Sequence, residues 1–165
     1  GQVAADGESV SRWVSRHRDL WRRKIGMIFQ KAHMITGLTV LENVCVPLVP
    51  RSVPFARIRK MALDALSRSG LEHLAGESVS TISGGELQRL SFARAIVSSP
   101  ELILADEPTS HQDPENVERM TGILEEFKRK GAIVVVTSHD PRLLDSARFE
   151  DRFFIENGRL RKISP

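Results

Sequence analysis

The sequence predicts an α/β domain in which a mostly parallel sheet is flanked by helices and a helical segment is inserted between two of its strands. Three observations carry that prediction. Short apolar runs at Ile25 to Phe29, Leu102 to Ala105 and Ala132 to Val136 are strand-sized. Amphipathic patterns separate the later runs, as the crossovers of a buried parallel sheet require. Between Thr39 and Pro100 the pattern is helical only. A helical subdomain over approximately 39–100 is therefore expected inside a single domain spanning 1–165.

Taken in order, the chain opens on a polar stretch and a basic run of Arg12, Arg16, Arg18, Arg22, Arg23 and Lys24 around His17, which reads as a solvated helix face or the neighbourhood of an anion. Ile25 to Phe29, with Gly26 inside it, reads as a buried strand. Thr39 to Leu48 suits a helix, because Thr39 and Glu42 have the spacing of a capping box. Pro47, Pro50 and Pro54 then break the chain. Ile58, Met61, Ala62, Ala65 and Leu66 fall at helical spacing, and Gly70 is a natural stop.

Ser78 to Glu86 is a polar loop. It opens a helix whose apolar face is read as Leu87, Leu90, Ala93 and Val97, ending before Pro100. After the run Leu102 to Ala105, Asp113 is placed to cap a helix with Pro114 at its first position and a stripe of Val117, Met120, Ile123, Leu124 and Phe127. Gly131 ends that helix. A short helix from Pro141, a last strand near Arg152 to Ile155 and a turn at Asn157-Gly158 close the chain.

Composition narrows the function. With 41% hydrophobic residues and a net charge of +3, a packed core is feasible, and no run approaches the length of a membrane span. A single cysteine permits no intrachain disulfide, which fits a reducing, cytoplasmic compartment. No zinc-finger or aromatic RNA-binding pattern accompanies the basic run, so no nucleic-acid partner is expected.

Two runs end in residues suited to the carboxyl edge of a sheet, where ligands bind. Leu102 to Ala105 delivers Asp106 and Glu107: one carboxylate suits Mg²⁺, and its neighbour could polarise a water for attack on a γ-phosphate. Val134 to Val136 delivers Thr137, Ser138 and His139, a histidine that could meet the phosphate or simply cap the next helix. Ser83-Gly84-Gly85-Glu86 opens a helix whose N-terminus suits an anion, though a plain N-cap reads equally well from these residues alone.

The ordered set of Gln30, Ile82 to Arg89, Leu102 to Glu107, Pro108-Thr109-Ser110 with Asp113, and Ser138-His139-Asp140 resembles the ABC ATPase family along the whole chain. The resemblance implies a P-loop NTPase-type fold, ATP and Mg²⁺ as ligands, and a role for each motif residue. Gln30 is similar to the Q-loop glutamine, meeting Mg²⁺ and nucleotide. Ser83, Gly84, Gly85 and Glu86 resemble the signature motif that contacts nucleotide. Asp106 resembles the Walker B aspartate that serves the metal, and Glu107 the catalytic glutamate. Asp113 ends a D-loop, and His139 resembles the switch histidine. It further implies a homodimer or heterodimer of ATPase subunits working with transmembrane permease subunits at the inner face of the cell membrane. Ile25 to Gln30, Leu38 to Val44 and Glu86 are similar to the lipoprotein-release and macrolide-export branch.

The chain departs from the family at two places. No G-x-x-x-x-G-K-[ST] phosphate loop occurs. In the family that loop precedes the strand resembling Gly1-Gln2-Val3, so the first strands and the phosphate-loop helix are expected upstream of a truncated start, and this chain alone is expected not to hydrolyse ATP. His111 and Gln112 occupy D-loop positions where the family has small or apolar residues. Two other readings stay open: a soluble ABC ATPase without transport, and a non-catalytic partner that lends its signature motif to another subunit's site.

Overall fold

The computed structural model describes residues 3–5, 7–144 and 149–163; Gly1 and Gln2, compared above with a family strand, lie outside the described residues. Two short strands, β1 (Ala4–Ala5) and β2 (Glu8–Ser9), pair antiparallel and lead into α1 (Ser15–Arg22). Arg16, His17, Arg18 and Arg22 of the basic run lie on α1, none of whose residues is buried, while Arg23 and Lys24 form the turn after it. Trp13, 7% exposed, stacks on the His17 ring at 4.3 Å and donates its indole N–H to Glu8 at 3.0 Å.

β3 (Ile25–Ile28) follows, then α2 (Val40–Cys45), α3 (Phe55–Arg68) and α4 (Gly84–Ile96) before the next strand. Thr39 and Glu42 form the expected capping box at α2. The helix read over Thr39 to Leu48 ends at Cys45 and tightens to a 3₁₀ segment over Val46–Arg51. Pro47 and Pro50 have no N–H to continue the α-helical ladder, which is the physical reason. α3 stops at Arg68, and Gly70 takes φ +70°, as its stop role requires.

β4 (Leu102–Asp106), α5 (Pro114–Arg129), β5 (Ile133–Thr137) and the short α6 (Pro141–Leu144) complete the α/β part, and β3, β4 and β5 form one parallel sheet in that order. The predicted α5 stripe is buried in full: Val117, Met120, Ile123, Leu124 and Phe127. Each contributes roughly 1.5–3 kcal/mol relative to an exposed position. The chain ends in a hairpin of β6 (Arg152–Glu156) and β7 (Arg159–Ile163). Asn157 and Gly158 both take positive φ at its turn; β7 was not foreseen, being as charged as a loop.

The core joins α2, α3 and α4 to one face of the sheet, with Phe92, Leu90, Leu66, Val44 and Ile103 fully enclosed. Two expectations are corrected. The sheet is not buried on both faces: Gly26, Ile28, Ile103 and Ala105 face the core, whereas Met27, Ile133 and Val135 on the other face are 46%, 64% and 48% exposed. Nor does α4 bury a single stripe. Gln88, Ser91, Phe92, Ala95 and Ile96 are buried along with Leu90, Ala93 and Val97, because α4 is packed between β3 and the other inserted helices. Gly26 makes that packing possible, since a Cβ there would lie 2.5 Å from the Ala95 carbonyl oxygen.

Candidate functional site

Parallel register brings the strand ends to one edge. Ile28 pairs with Ala105, and Asp106 with Thr137, so Gln30, Asp106-Glu107 and Ser138-His139 all follow the carboxyl ends of neighbouring strands. That is where open α/β sheets bind ligands. Gln88 Nε2 donates to the Phe29 carbonyl at 3.3 Å and so fixes the chain just ahead of Gln30, which is exposed.

Glu107 is the centre of this edge. Its φ is +47°, a conformation that costs a non-glycine residue about 1–3 kcal/mol and persists only where the surroundings enforce it. Those surroundings are visible: the Glu107 N–H donates to the Thr137 carbonyl at 2.9 Å, and the Glu107 carbonyl accepts from the Ser110 N–H at 3.2 Å. The carboxylate accepts from the Ser138 hydroxyl and the His139 N–H, both at 3.1 Å, and meets His139 Nδ1 at 2.7 Å. Its side chain is 16% exposed against 85% for the histidine, so a sheltered carboxylate is paired with an imidazole free to swing into solvent. The hydrogen bond to Glu107 and then its charge raise the His139 pKa above the usual histidine value. Asp106 accepts through Oδ1 from the Thr137 hydroxyl.

The second group lies at the start of α4. Ser83 Oγ accepts from the Glu86 N–H at 3.3 Å, while Glu86 Oε2 accepts from the Ser83 N–H and hydroxyl, both at 2.7 Å. These bonds, the hydroxyl's first, hold the Glu86 carboxyl below the usual carboxylate range. The structure thus gives Glu86 a capping role. A Cβ added to Gly84 would meet nothing within 4 Å, so no packing within the chain demands a glycine there and a ligand could approach its backbone closely. Asp113 caps α5 as expected, accepting from the Asn116 N–H at 2.9 Å; this bond and one from the Asn116 side chain lower its pKa.

Sequence reasoning quoted Thr109, Gln112 and Asp140 without a joining role and missed Arg142, and these residues connect the two groups. Asp140 accepts from the Thr109 hydroxyl at 2.9 Å and from the Arg142 guanidinium at 2.7–3.1 Å, and its pKa is lowered to about 2, chiefly by Arg142. Arg142 Nη1 donates to the Gln112 carbonyl at 3.1 Å, and Gln112 Nε2 donates to the Gly85 carbonyl at 3.1 Å. A signal for Asp140 existed: it precedes Pro141 at a helix start, as Asp113 precedes Pro114, and the Arg142 N–H donates to its Oδ1. Gln112 is marked only as an unusual D-loop residue; its contacts with Gly85 and Arg89, and that of Arg142 with the Gln112 carbonyl, join segments distant in sequence.

Mg²⁺ takes one or two carboxylates and fills its octahedron with water and phosphate oxygens. Asp106 and the Gln30 amide oxygen fit that mode as a partial donor set. Among the described residues no group of three or more His, Cys, Asp or Glu could hold an ion unaided. The residues suit an ion that arrives with phosphates.

A parallel sheet with paired carboxylates at the end of its central strand, a histidine beyond the next and a capped glycine-containing helix start is the arrangement of ABC cassettes, and the likeness to a solved cassette places the fold in the P-loop NTPase class. The ATP-binding cassette MJ0796, in a dimeric post-hydrolysis state bound to ADP and Pi, superposes with a TM-score of 0.89 at 32% identity, covering 100% of this chain and 74% of that one. The chain belongs to the ABC transporter family, whose model matches residues 1–110. It is 38% identical over 161 residues to the macrolide export ATP-binding/permease protein MacB 1/2 of Paracoccus denitrificans, covering 97% of this chain and 24% of that protein. It is also 38% identical over 144 residues to the cell division ATP-binding protein FtsE of Escherichia coli K12, covering 87% of this chain and 65% of FtsE. No helix among the described residues is long and apolar enough to cross a membrane.

Proposed function

We propose that this chain supplies the catalytic half of an ABC ATPase that couples ATP binding and hydrolysis to membrane-spanning partners, in the export and lipoprotein-release branch. The observation that carries the reading is Glu107, held in a strained conformation at the sheet edge by Thr137 and Ser110 and bonded to the exposed His139. Its sheltered carboxylate is placed to take a proton from a water attacking the γ-phosphate. His139 leaves Glu107 and donates to the γ-phosphate, which frees the Oε1 that it occupies. Asp106 and Gln30 would hold Mg²⁺, which would supply positive charge against the phosphates. The helix start at Ser83, Gly84 and Gly85 turns its N–H groups and dipole toward the nucleotide of a second subunit, with Glu86 as its cap and Asp113 at the same interface.

A phosphate loop must complete this site, and none lies within these 165 residues. The open sheet face of Met27, Ile133 and Val135 supports a helix that follows such a loop packing there, because parallel sheets are covered on both sides. The residues around 39–100 form the subdomain that meets the permease. A cavity of about 250 Å³ beside it is lined by Arg22, Arg23, Arg51 and Arg94 and suits an acidic segment of that partner at the inner face of the membrane.

The similarity to FtsE favours a second reading, a cell-division ATPase with the same chemistry and a different membrane partner. Mg-ATP turnover separates the catalytic proposal from a non-catalytic one: the protein bearing a phosphate loop should hydrolyse ATP, and these 165 residues alone should not. Turnover by the isolated chain, or its absence in the loop-bearing protein, contradicts the proposal. Stimulation of turnover by an export permease rather than a division complex decides between the two readings.

A further inference from the structure

We infer that Gln112 is a positioning residue: its side-chain amide latches the first turn of α4 to the loop that carries Glu107, so that the helix start facing a second subunit's nucleotide and the sheet edge bearing Glu107 move together. Its catalytic consequence rests on the ATPase reading above; its structural basis does not. Gln112 is only 6% exposed, and both ends of its amide are engaged. Nε2 donates to the Gly85 carbonyl at 3.1 Å, and Oε1 accepts from Arg89 Nη1 at 3.1 Å. His111, at φ +59°, occupies the left-handed region just before it, where the chain reverses into α5.

The chemistry explains why an amide does what an apolar side chain of the same size would not. A leucine would fill the volume, yet it would leave the Gly85 carbonyl and the Arg89 guanidinium without these partners. Arg89 can ill spare one, because its buried Nε already lacks a hydrogen-bond partner. The latch also continues on the other side. The Gln112 carbonyl accepts from Arg142, Arg142 grips Asp140, and Asp140 adjoins His139, which meets Glu107. A path of hydrogen bonds and chain neighbours therefore runs from the glycines of α4 to the catalytic pair, and the Asp140 N–H extends it by donating to Ser138 Oγ, whose hydroxyl donates to Glu107.

Gln112→Leu and Gln112→Glu test this in the loop-bearing protein. Glu retains an acceptor for Arg89 but cannot donate to the Gly85 carbonyl. Amide hydrogen exchange over residues 86–89 should quicken roughly tenfold in both variants, with exchange in α5 unchanged. In steady-state turnover, kcat should fall about tenfold with KM for Mg-ATP and Tm little altered, the split expected when alignment rather than folding is lost. Unchanged exchange at residues 86–89 in both variants overturns the latch, even if turnover falls. A wild-type protein without turnover instead refutes the ATPase reading, and the exchange result then decides the latch by itself. Variants that lose only Tm, with kcat intact, reduce Gln112 to a packing residue and overturn the inference.

Discussion

Asp140→Asn isolates the ion pair with Arg142 whose two members each reach the loop after Glu107, Asp140 through Thr109 and Arg142 through the Gln112 carbonyl. In the native chain the Asp140 carboxylate accepts from Thr109 and from the N–H and guanidinium of Arg142, and its pKa is lowered to about 2. Against an unfolded value of about 3.9, that difference corresponds to about 2.6 kcal/mol at neutral pH by linkage. The Arg142 side chain is 41% exposed while Asp140 is 12% exposed, so solvent screening reduces the figure. We expect Asn to cost roughly 1–2 kcal/mol at pH 7. The sign follows from a depressed folded pKa: the contribution is complete above about pH 3.9 and is lost as pH falls through about 2. The gap between wild type and variant should therefore narrow to about half by pH 3. Urea unfolding of the loop-bearing protein at pH 7, 4.5 and 3 measures it. A gap that stays constant across that range, or that is absent at pH 7, refutes the electrostatic account.

Two further outcomes are expected. The His139 pKa is raised by Glu107, so the charged pair is fully present below about pH 6.5 and is lost as pH rises through the elevated value. NMR titration should show the imidazole titrating above the usual value in wild type and falling back toward it in Glu107→Gln; an identical midpoint in both would contradict the pairing. Gly26→Ala places a Cβ 2.5 Å from the Ala95 carbonyl oxygen, between β3 and α4. It should destabilise the fold by about 1–3 kcal/mol in urea unfolding, whereas a change within about 0.5 kcal/mol would show that the contact relaxes freely.

Much of the site was legible because strand ends and helix starts have local signatures. The apolar runs before Asp106 and Thr137 fixed which residues reach the sheet edge. The spacing Thr39 to Glu42, and Asp113 followed by Pro114, became real caps. Ser83 with Glu86 became a capping box whose chemical use the residues alone left open. What stayed hidden depends on partners far along the chain. Gln112 read as an odd D-loop residue until its contacts with Gly85 and Arg89 were seen, 27 and 23 residues away. Burial of Ser91 and Gln88 in α4 follows from neighbours on several sides, which helical periodicity cannot register. The exposed alternate residues of β5 follow from a face that no described helix covers, although Ala132 to Val136 reads as fully buried.

Turnover and nucleotide binding measured side by side on Glu107→Gln in the loop-bearing protein test the central claim most directly. Loss of the general base should reduce Mg-ATP hydrolysis by about 10²–10⁴-fold. ATP affinity should stay within a few-fold of wild type, since the substitution keeps the side chain's shape and removes only its charge and proton-accepting oxygen. Hydrolysis within about threefold of wild type, with ATP still bound, would show that Glu107 is not the base and that the strained residue at the sheet edge serves the fold instead.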